Sequence, residues 1–210
     1  MIDFFEKFFC IKKAENVNYD VFDVLNSFFE NKDSDTIAFL VGEDFLNFKD
    51  LIMDTIAKER NSLRKKTGFV LWAVHVLDNC ELQENEFVIK IREKEVLRKF
   101  IIPNADEIEK EISEAINYIY NTNIEDIFTY EITEKYINSV QKDLPWTIWN
   151  ITSIYTISDI REILIQLLKN KKSIKNIDYV FEKIAEHAFV YGFDTRCSPQ
   201  KIAQNVCQAL

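Results

Sequence analysis

Residues 68–77 read GFVLWAVHVL, a glycine followed by a run of apolar, β-branched and aromatic side chains. A run of this length without polar relief predicts a central strand that is buried on both faces. Residues 86–92 read EFVIKIR, in which apolar side chains alternate, and residues 96–102 resume the apolar character after a polar break. Alternation of this kind predicts that a hairpin follows the central strand.

A shorter strand is predicted upstream of this stretch, at residues 36–41 (TIAFLV). Glu43 and Asp44 then begin a helix with apolar residues at helical spacing, and cationic residues crowd its end before Gly68. Strand, helix and strand in this order predict a β-α-β unit. Residues 35–103 should therefore form a small mixed sheet with a helix packed on it.

From residue 104 onward the pattern is helical, and residues 104–210 are predicted to form a bundle of about five helices. Trp146 and Trp149 follow Pro145 in a predicted turn. We interpret them as a packing plug between helices, with an exposed interface as the alternative. Polar N-caps mark the starts of several helices: Asn104, Thr156 with Asp159, Ser173, and Ser198 with Pro199.

The predicted fold class is therefore α+β, a small mixed β-sheet with a packed helix followed by an all-helical bundle. Residues 1–34 precede these parts as an amino-terminal helical arm made of two short amphipathic pieces. Their aromatic residues belong either to the core or to a partner-binding arm. The first piece contains Phe4, Phe5, Phe8 and Phe9.

Composition argues against several classes of function. The 210-residue chain carries a formal charge of −9, whereas nucleic-acid surfaces and anionic membranes attract clustered Lys and Arg. No apolar run reaches the length of a membrane span, so direct membrane insertion is not expected. Asp3, Glu6 and Lys7 interrupt the apolar core that a signal peptide would need. We therefore expect a cytoplasmic protein.

No arrangement of residues indicates an enzyme, a cofactor or a metal site. The two histidines are His75, in the apolar run, and His187, near a helix end, and neither has catalytic partners beside it in the sequence. The four cysteines show no CxxC spacing, and Gly-rich phosphate loops, GxSxG and HExxH are absent. We expect a non-enzymatic protein without cofactors. A hydrolase would need a cleft that brings a histidine to a carboxylate and a nucleophile.

Three segments carry a pattern found together in one family. Residues 64–100 contain a glycine, a strand ending in Val-His-Val-Leu-Asp-Asn, and a hairpin. Residues 125–145 contain, in this order, Ile-Phe, a glutamate, Tyr-Ile and a closing proline. Residues 157–210 contain Leu-Leu, Ser-Ile, Ala-Glu-His-Ala and Gln-Ala-Leu. In this order they resemble the cytosolic domain of the type III secretion and flagellar export-gate (FHIPEP) family. The matching positions in the first segment are Gly68, Val74, Val76, Asp78, Asn79, Leu82, Asn85, Glu86 and Phe87.

Several departures from the family limit what this resemblance implies. The family's membrane half is missing, as are the subdomain that it inserts after the position of Ile102 and the one that would follow Leu210. Export chaperones dock in the family at a groove with an Asp-Pro-x-Phe segment, which has no counterpart here. The Thr-His pair that the family carries on the following helix corresponds to positions near Glu114 and Ala115 in this sequence. Chaperone binding is therefore not carried over residue by residue, and ring formation is implied more weakly.

Two functional hypotheses follow. The first is a soluble, non-enzymatic protein-interaction module built on a trimmed export-gate cytosolic fold, which acts in protein secretion or derives from a secretion component. The resemblance implies secretion components or export chaperones as partners, and a homo-oligomer. The second is a small acidic regulator or immunity-type protein that binds a basic partner protein, for which the charge of −9 is the support.

The partner is expected at the seam between sheet and bundle, with Trp146 or Trp149 at its centre. Trp72 adds large apolar area of the kind that interface anchors have, and Arg98 and Lys99 protect the hairpin edge. If both bundle tryptophans are enclosed, the next candidate is the aromatic amino-terminal segment, with Phe4, Phe5 and Phe8.

Overall fold

A computed structural model describes residues 37–71, 74–189 and 197–210. Within these ranges the chain forms four strands and eight α-helices. The strands are β1 (Ile37–Val41), β2 (Val74–Asp78), β3 (Glu86–Ile91) and β4 (Lys94–Phe100). The helices are α1 (Lys49–Thr67), α2 (Ala105–Thr122), α3 (Ile124–Ile127), α4 (Tyr130–Gln141), α5 (Pro145–Thr152), α6 (Ile157–Lys169), α7 (Ile177–Phe189) and α8 (Pro199–Ala209). The predicted arm at residues 1–34 lies outside the described residues.

The four strands form one mixed sheet in the order β2-β1-β3-β4. β1 is parallel to β2 and antiparallel to β3, and β3 pairs with β4 as an antiparallel hairpin. The parallel pair is connected through α1, which confirms the predicted β-α-β unit. The α1 side chains that face the core include Ile52, Ile56 and Leu63, and α2 packs on α1. A mixed sheet followed by helices confirms the α+β class.

The prediction that residues 68–77 form a central strand is wrong. In the described residues, β2 covers Val74–Asp78 and lies at one edge of the sheet, where its side chains are half-buried or exposed. Phe69, Val70 and Leu71 are buried in the core, but they lie outside any strand. An apolar run indicates burial, and it does not distinguish a buried strand from a buried connecting segment. The central strands are β1 and β3.

Gly68 ends α1, as the sequence predicts. Its φ is 78°, in the left-handed region that glycine adopts without steric cost. The backbone of the α6–α7 connection also passes close to it, since a Cβ at this position would lie 2.4 Å from the nitrogen of Lys175. The N–H of Ile174 donates to the carbonyl of Thr67 at 2.8 Å. Both the backbone angle and the close approach therefore require glycine here.

The hairpin of β3 and β4 is confirmed, with the side chains of Phe87, Ile89 and Ile91 buried. Arg92 and Glu93 form its two-residue turn, and both have positive φ, at 49° and 66°. This is the turn geometry that matches the twist of the flanking strands.

Seven helices follow the sheet within the described residues, more than the predicted five, because α3 is an additional short helix and α5 occupies the place of the predicted turn. α7 begins at Ile177, so Ser173 is wrong as an N-cap. Its Oγ instead accepts the N–H of Lys175 at 3.2 Å in a local turn. The other predicted caps are confirmed by side-chain hydrogen bonds: Asn104, Thr156 with Asp159, and Ser198.

A buried aromatic cluster connects the end of α1 to the helical half. Ring centroids of Phe69 and Phe128 lie 5.4 Å apart, and those of Phe128 and Tyr136 lie 5.9 Å apart. The Tyr136 hydroxyl donates to the carbonyl of Gly68 at 2.8 Å and accepts the N–H of Val70 at 3.2 Å. The fourth member is Tyr120, 5.9 Å from Phe69. Sheet and helices share one hydrophobic core, and the division into residues 1–34, 35–103 and 104–210 stays a prediction.

Candidate protein-interaction surface

Helix α5 forms between α4 and α6 because its sequence contains a strong start signal. Pro145 stands at the first helical position, where its fixed φ suits the helix and its missing N–H is not needed. Leu144 precedes the helix and packs partly buried against the core. The helix spans eight residues and packs on α4 and α7. The predicted turn at this place is therefore a short helix.

The two faces of α5 have opposite environments. Ile148 and Ile151, three positions apart, are buried against the bundle. Trp146 and Trp149 are also three positions apart, but they lie on the other face, with 76% and 61% of their surface exposed. The interpretation of these tryptophans as a packing plug is therefore wrong, and the alternative of an exposed surface agrees with their position.

Trp146 and Trp149, the indole pair, contact each other edge to face. Their ring centroids are 6.2 Å apart and the ring planes meet at 81°. Neither indole N–H donates a hydrogen bond to any residue in the described part of the chain. Contiguous exposed aromatic area with unused donors is typical of protein-interaction sites.

Two carboxylates accompany the indole pair at the ends of the neighbouring helices. Asp143 lies in the connection from α4 to α5, and Asp178 lies in the first turn of α7. Both side chains are exposed. Desolvation, together with the negative charge of Asp143, raises the pKa of Asp178. Asp143 directly precedes α5, and α7, which carries Asp178, packs on that helix.

The predicted seam between sheet and bundle carries a different exposed patch. Phe100 and Ile102 are 52% and 81% exposed at the end of β4, in an open groove that Asn104 and Glu107 also line. These two residues are not among the predicted contacts, although their position at the end of the edge strand was a signal. The indole pair lies on α5, which packs on α4 and α7 of the helical half.

The cations of the hairpin edge are engaged in ion pairs within the chain. Arg98 pairs with Glu86 and with Glu95, and Lys99 pairs with Glu111. The hydrogen bond from Lys99 lowers the pKa of the Glu111 carboxyl. Paired charges along an edge strand discourage strand addition, as the sequence predicts for this edge.

The remaining predicted contact residues stay predictions. Trp72, Phe4, Phe5 and Phe8 lie outside the described residues. In the ranges that the structure covers, His, Cys, Asp and Glu side chains form no group of three that could hold a metal ion. None of the described helices combines the length and the apolar composition that crossing a membrane requires.

Comparison with known proteins gives one consistent group. The flagellar biosynthesis protein FlhA of Bacillus subtilis (strain 168) is 25% identical over an alignment of 182 residues, and the match covers 65% of this chain and 27% of FlhA. CdsV of Chlamydia pneumoniae matches with a TM-score of 0.70 and 15% identity, over 84% of this chain and 72% of that chain. The structure of CdsV in complex with CdsO matches with a TM-score of 0.69 and 15% identity, over 84% of this chain and 66% of that chain. Nonameric SctV-C of EPEC matches with a TM-score of 0.66 and 9% identity, over 81% of this chain and 63% of that chain.

No family model matches the chain. The solved structures are cytosolic domains of type III secretion export gates, so the predicted resemblance to that domain is confirmed and the chain has its fold. The chain spans about a quarter of the length of FlhA, which it matches in sequence.

Proposed function

We propose that the chain is a non-enzymatic protein-interaction module that acts in protein secretion from the cytoplasmic side. The observation that carries this proposal is the agreement of two independent likenesses, the fold of CdsV and SctV-C and the sequence of FlhA. The exposed face of α5 supports an interaction role, since it presents aromatic area without catalytic groups.

The partners in this proposal are other proteins, including further copies of the chain. SctV-C is nonameric and CdsV forms a complex with CdsO, which supports both self-assembly and binding of a second protein. Secretion components are the first partner class. Export chaperones are the second, although the positions that resemble the family's groove hold Glu114 and Ala115 on α2. These departures argue for a different contact surface.

Within this function we propose Trp146 and Trp149 as contact residues. Trp72 is proposed as a further contact residue. The aromatic amino-terminal segment is proposed as a second contact surface. That segment contains Phe4, Phe5 and Phe8.

The alternative, an acidic regulator that neutralises a basic partner, rests on the charge of −9 alone. The comparisons favour the secretion role, because FlhA is a flagellar biosynthesis protein and CdsV and SctV-C are export-gate proteins.

Affinity purification of the tagged chain from its native cells tests the proposal. We expect proteins of an export apparatus, identified by mass spectrometry, to co-purify with the wild-type chain and to be depleted with Trp146→Ala/Trp149→Ala. A double variant of another exposed apolar pair, Phe100→Ala/Ile102→Ala, is the matched control. Recovery of a basic toxin or enzyme in place of export proteins would contradict the secretion role and support the regulator.

A further inference from the structure

The indole pair leaves one face of α5 without a partner inside the described chain. Trp146 and Trp149 expose most of their surface, and their N–H groups donate to no described residue. Tryptophan is the aromatic side chain that attracts a cation over its ring face most strongly. The ring faces and the unused N–H groups therefore favour a ligand that combines apolar contact with positive charge.

The charges next to the pair have the sign that suits such a ligand. Asp143 lies in the connection from α4 to α5, Asp178 lies in the first turn of α7, which packs on α5, and both are exposed. Glu182 follows Asp178 by one helical turn on α7 and adds a third exposed carboxylate. Lys142, the cation that precedes Asp143, already has an interaction within the chain. Asp178 also feels the negative charge of Asp143, so a cation bound beside either carboxylate is favoured by both.

We propose that the indole pair together with Asp143 and Asp178 binds a basic segment of a partner protein. One Lys or Arg side chain of that segment lies over an indole face, and a second lies between the two carboxylates. An Arg guanidinium suits both positions, because it stacks on aromatic rings and pairs with carboxylates. This inference names the partner chemistry of the proposed interaction function and rests on it.

Charge argues against two other occupants of this face. In a two-fold contact between copies of the chain, the same patch meets itself, so Asp143 and Asp178 would face their own counterparts. Like charges brought together in this way oppose association. Anionic lipid headgroups would meet the same repulsion on a chain of net charge −9.

The test uses the purified chain and two fluorescently labelled peptides. Both alternate leucine with charged residues, one with arginine and the other with glutamate, and fluorescence anisotropy measures their binding at low and at high salt. We expect the arginine peptide to bind and the glutamate peptide not to bind. Trp146→Ala/Trp149→Ala should weaken binding about tenfold or more. Asp143→Asn/Asp178→Asn should weaken it severalfold and reduce its salt dependence.

Two control variants separate this site from general attraction to an acidic protein. Glu81→Gln/Glu84→Gln removes two exposed charges elsewhere, and Phe100→Ala/Ile102→Ala removes the other exposed apolar pair. Both control variants should bind the arginine peptide with the affinity of the wild type. Equal effects of control and site variants, or equal binding of the two peptides, would overturn the inference. So would a dimer in sedimentation that the Trp146→Ala/Trp149→Ala change abolishes. Peptide binding without export proteins in the purification would contradict only the secretion role.

Discussion

Two groups of aromatic side chains have opposite environments in this protein. The buried aromatic cluster holds its members between the end of α1 and the helical half, and its central hydroxyl, on Tyr136, has a donor and an acceptor. The indole pair on α5 lies in the open, with unused N–H groups. Tyrosine and tryptophan side chains are buried where their O–H or N–H group forms a hydrogen bond and where they lie on the face of the helix that packs on the core. We infer that the first group stabilises the fold and that the second serves binding.

Phe128→Ala is expected to give the largest loss of stability. Phe128 is fully buried between the rings of Phe69 and Tyr136, so its removal leaves a cavity. The free energy of unfolding should fall by about 3 to 5 kcal/mol in urea denaturation. Trp149→Ala is the matched control from the indole pair, with a change below about 0.5 kcal/mol. Similar losses in the two variants would contradict the division of roles.

Tyr136→Phe tests the polar tip of the buried cluster alone. The ring remains, but the carbonyl of Gly68 and the N–H of Val70 lose their buried partner. We expect a loss of about 1 to 3 kcal/mol in the free energy of unfolding, measured by urea denaturation. Tyr118→Phe removes the hydroxyl of a half-exposed tyrosine and should change stability little. An equally mild effect at Tyr136 would show that its two hydrogen bonds are replaceable.

The same hydroxyl predicts a sensitivity to alkaline pH. Burial raises the pKa of Tyr136 well above its ordinary value. An unfolded tyrosine ionises near pH 10, so the stability that the neutral phenol contributes is present below about pH 10 and declines above it. Thermal unfolding at increasing pH should show this decline in the wild type and a shallower one in Tyr136→Phe. Parallel curves would argue against ionisation of this residue as the cause.

Local signals predicted much of this fold. The end of α1 at Gly68, the hairpin, and the caps Asn104 and Thr156 are confirmed, because each depends on neighbouring residues. The predicted start at Glu43 is a 3-10 helix, Glu43–Phe48, and α1 itself begins at Lys49. The prediction that β2 is the central strand is wrong, because strand order is decided by tertiary packing. The buried segment that begins at Phe69 looks like a strand by composition, and its true partner, Tyr136, lies 67 positions away in the sequence.

The candidate site was predicted only in part. The sequence predicts the tryptophans as interface anchors in a turn, and the structure places them on the exposed face of α5. Proline followed by Ile148 and Ile151 at helical spacing could have predicted a helix whose other face carries the tryptophans. The nearness of Asp178 could not be predicted, because α7 meets α5 only in the folded chain.

Removal of the indole pair should have the smallest effect on stability. We expect Trp146→Ala/Trp149→Ala to change the free energy of unfolding by less than about 1 kcal/mol, since exposed side chains contribute little to the core. Ile151→Ala, on the opposite face of the same helix, should cost about 2 to 5 kcal/mol. Calorimetric melting of both variants gives the comparison. A large loss from the double variant would mean that the pair stabilises the fold.

The most direct measurement follows the indole N–H signals by NMR during titration with the arginine peptide. Trp146→Phe and Trp149→Phe assign two of the three indole signals that the sequence provides. We expect both signals to shift and to saturate together with peptide binding, while the amides of the buried aromatic cluster stay in place. Unchanged Trp146 and Trp149 signals at saturation would contradict the assignment of this face as the interaction surface.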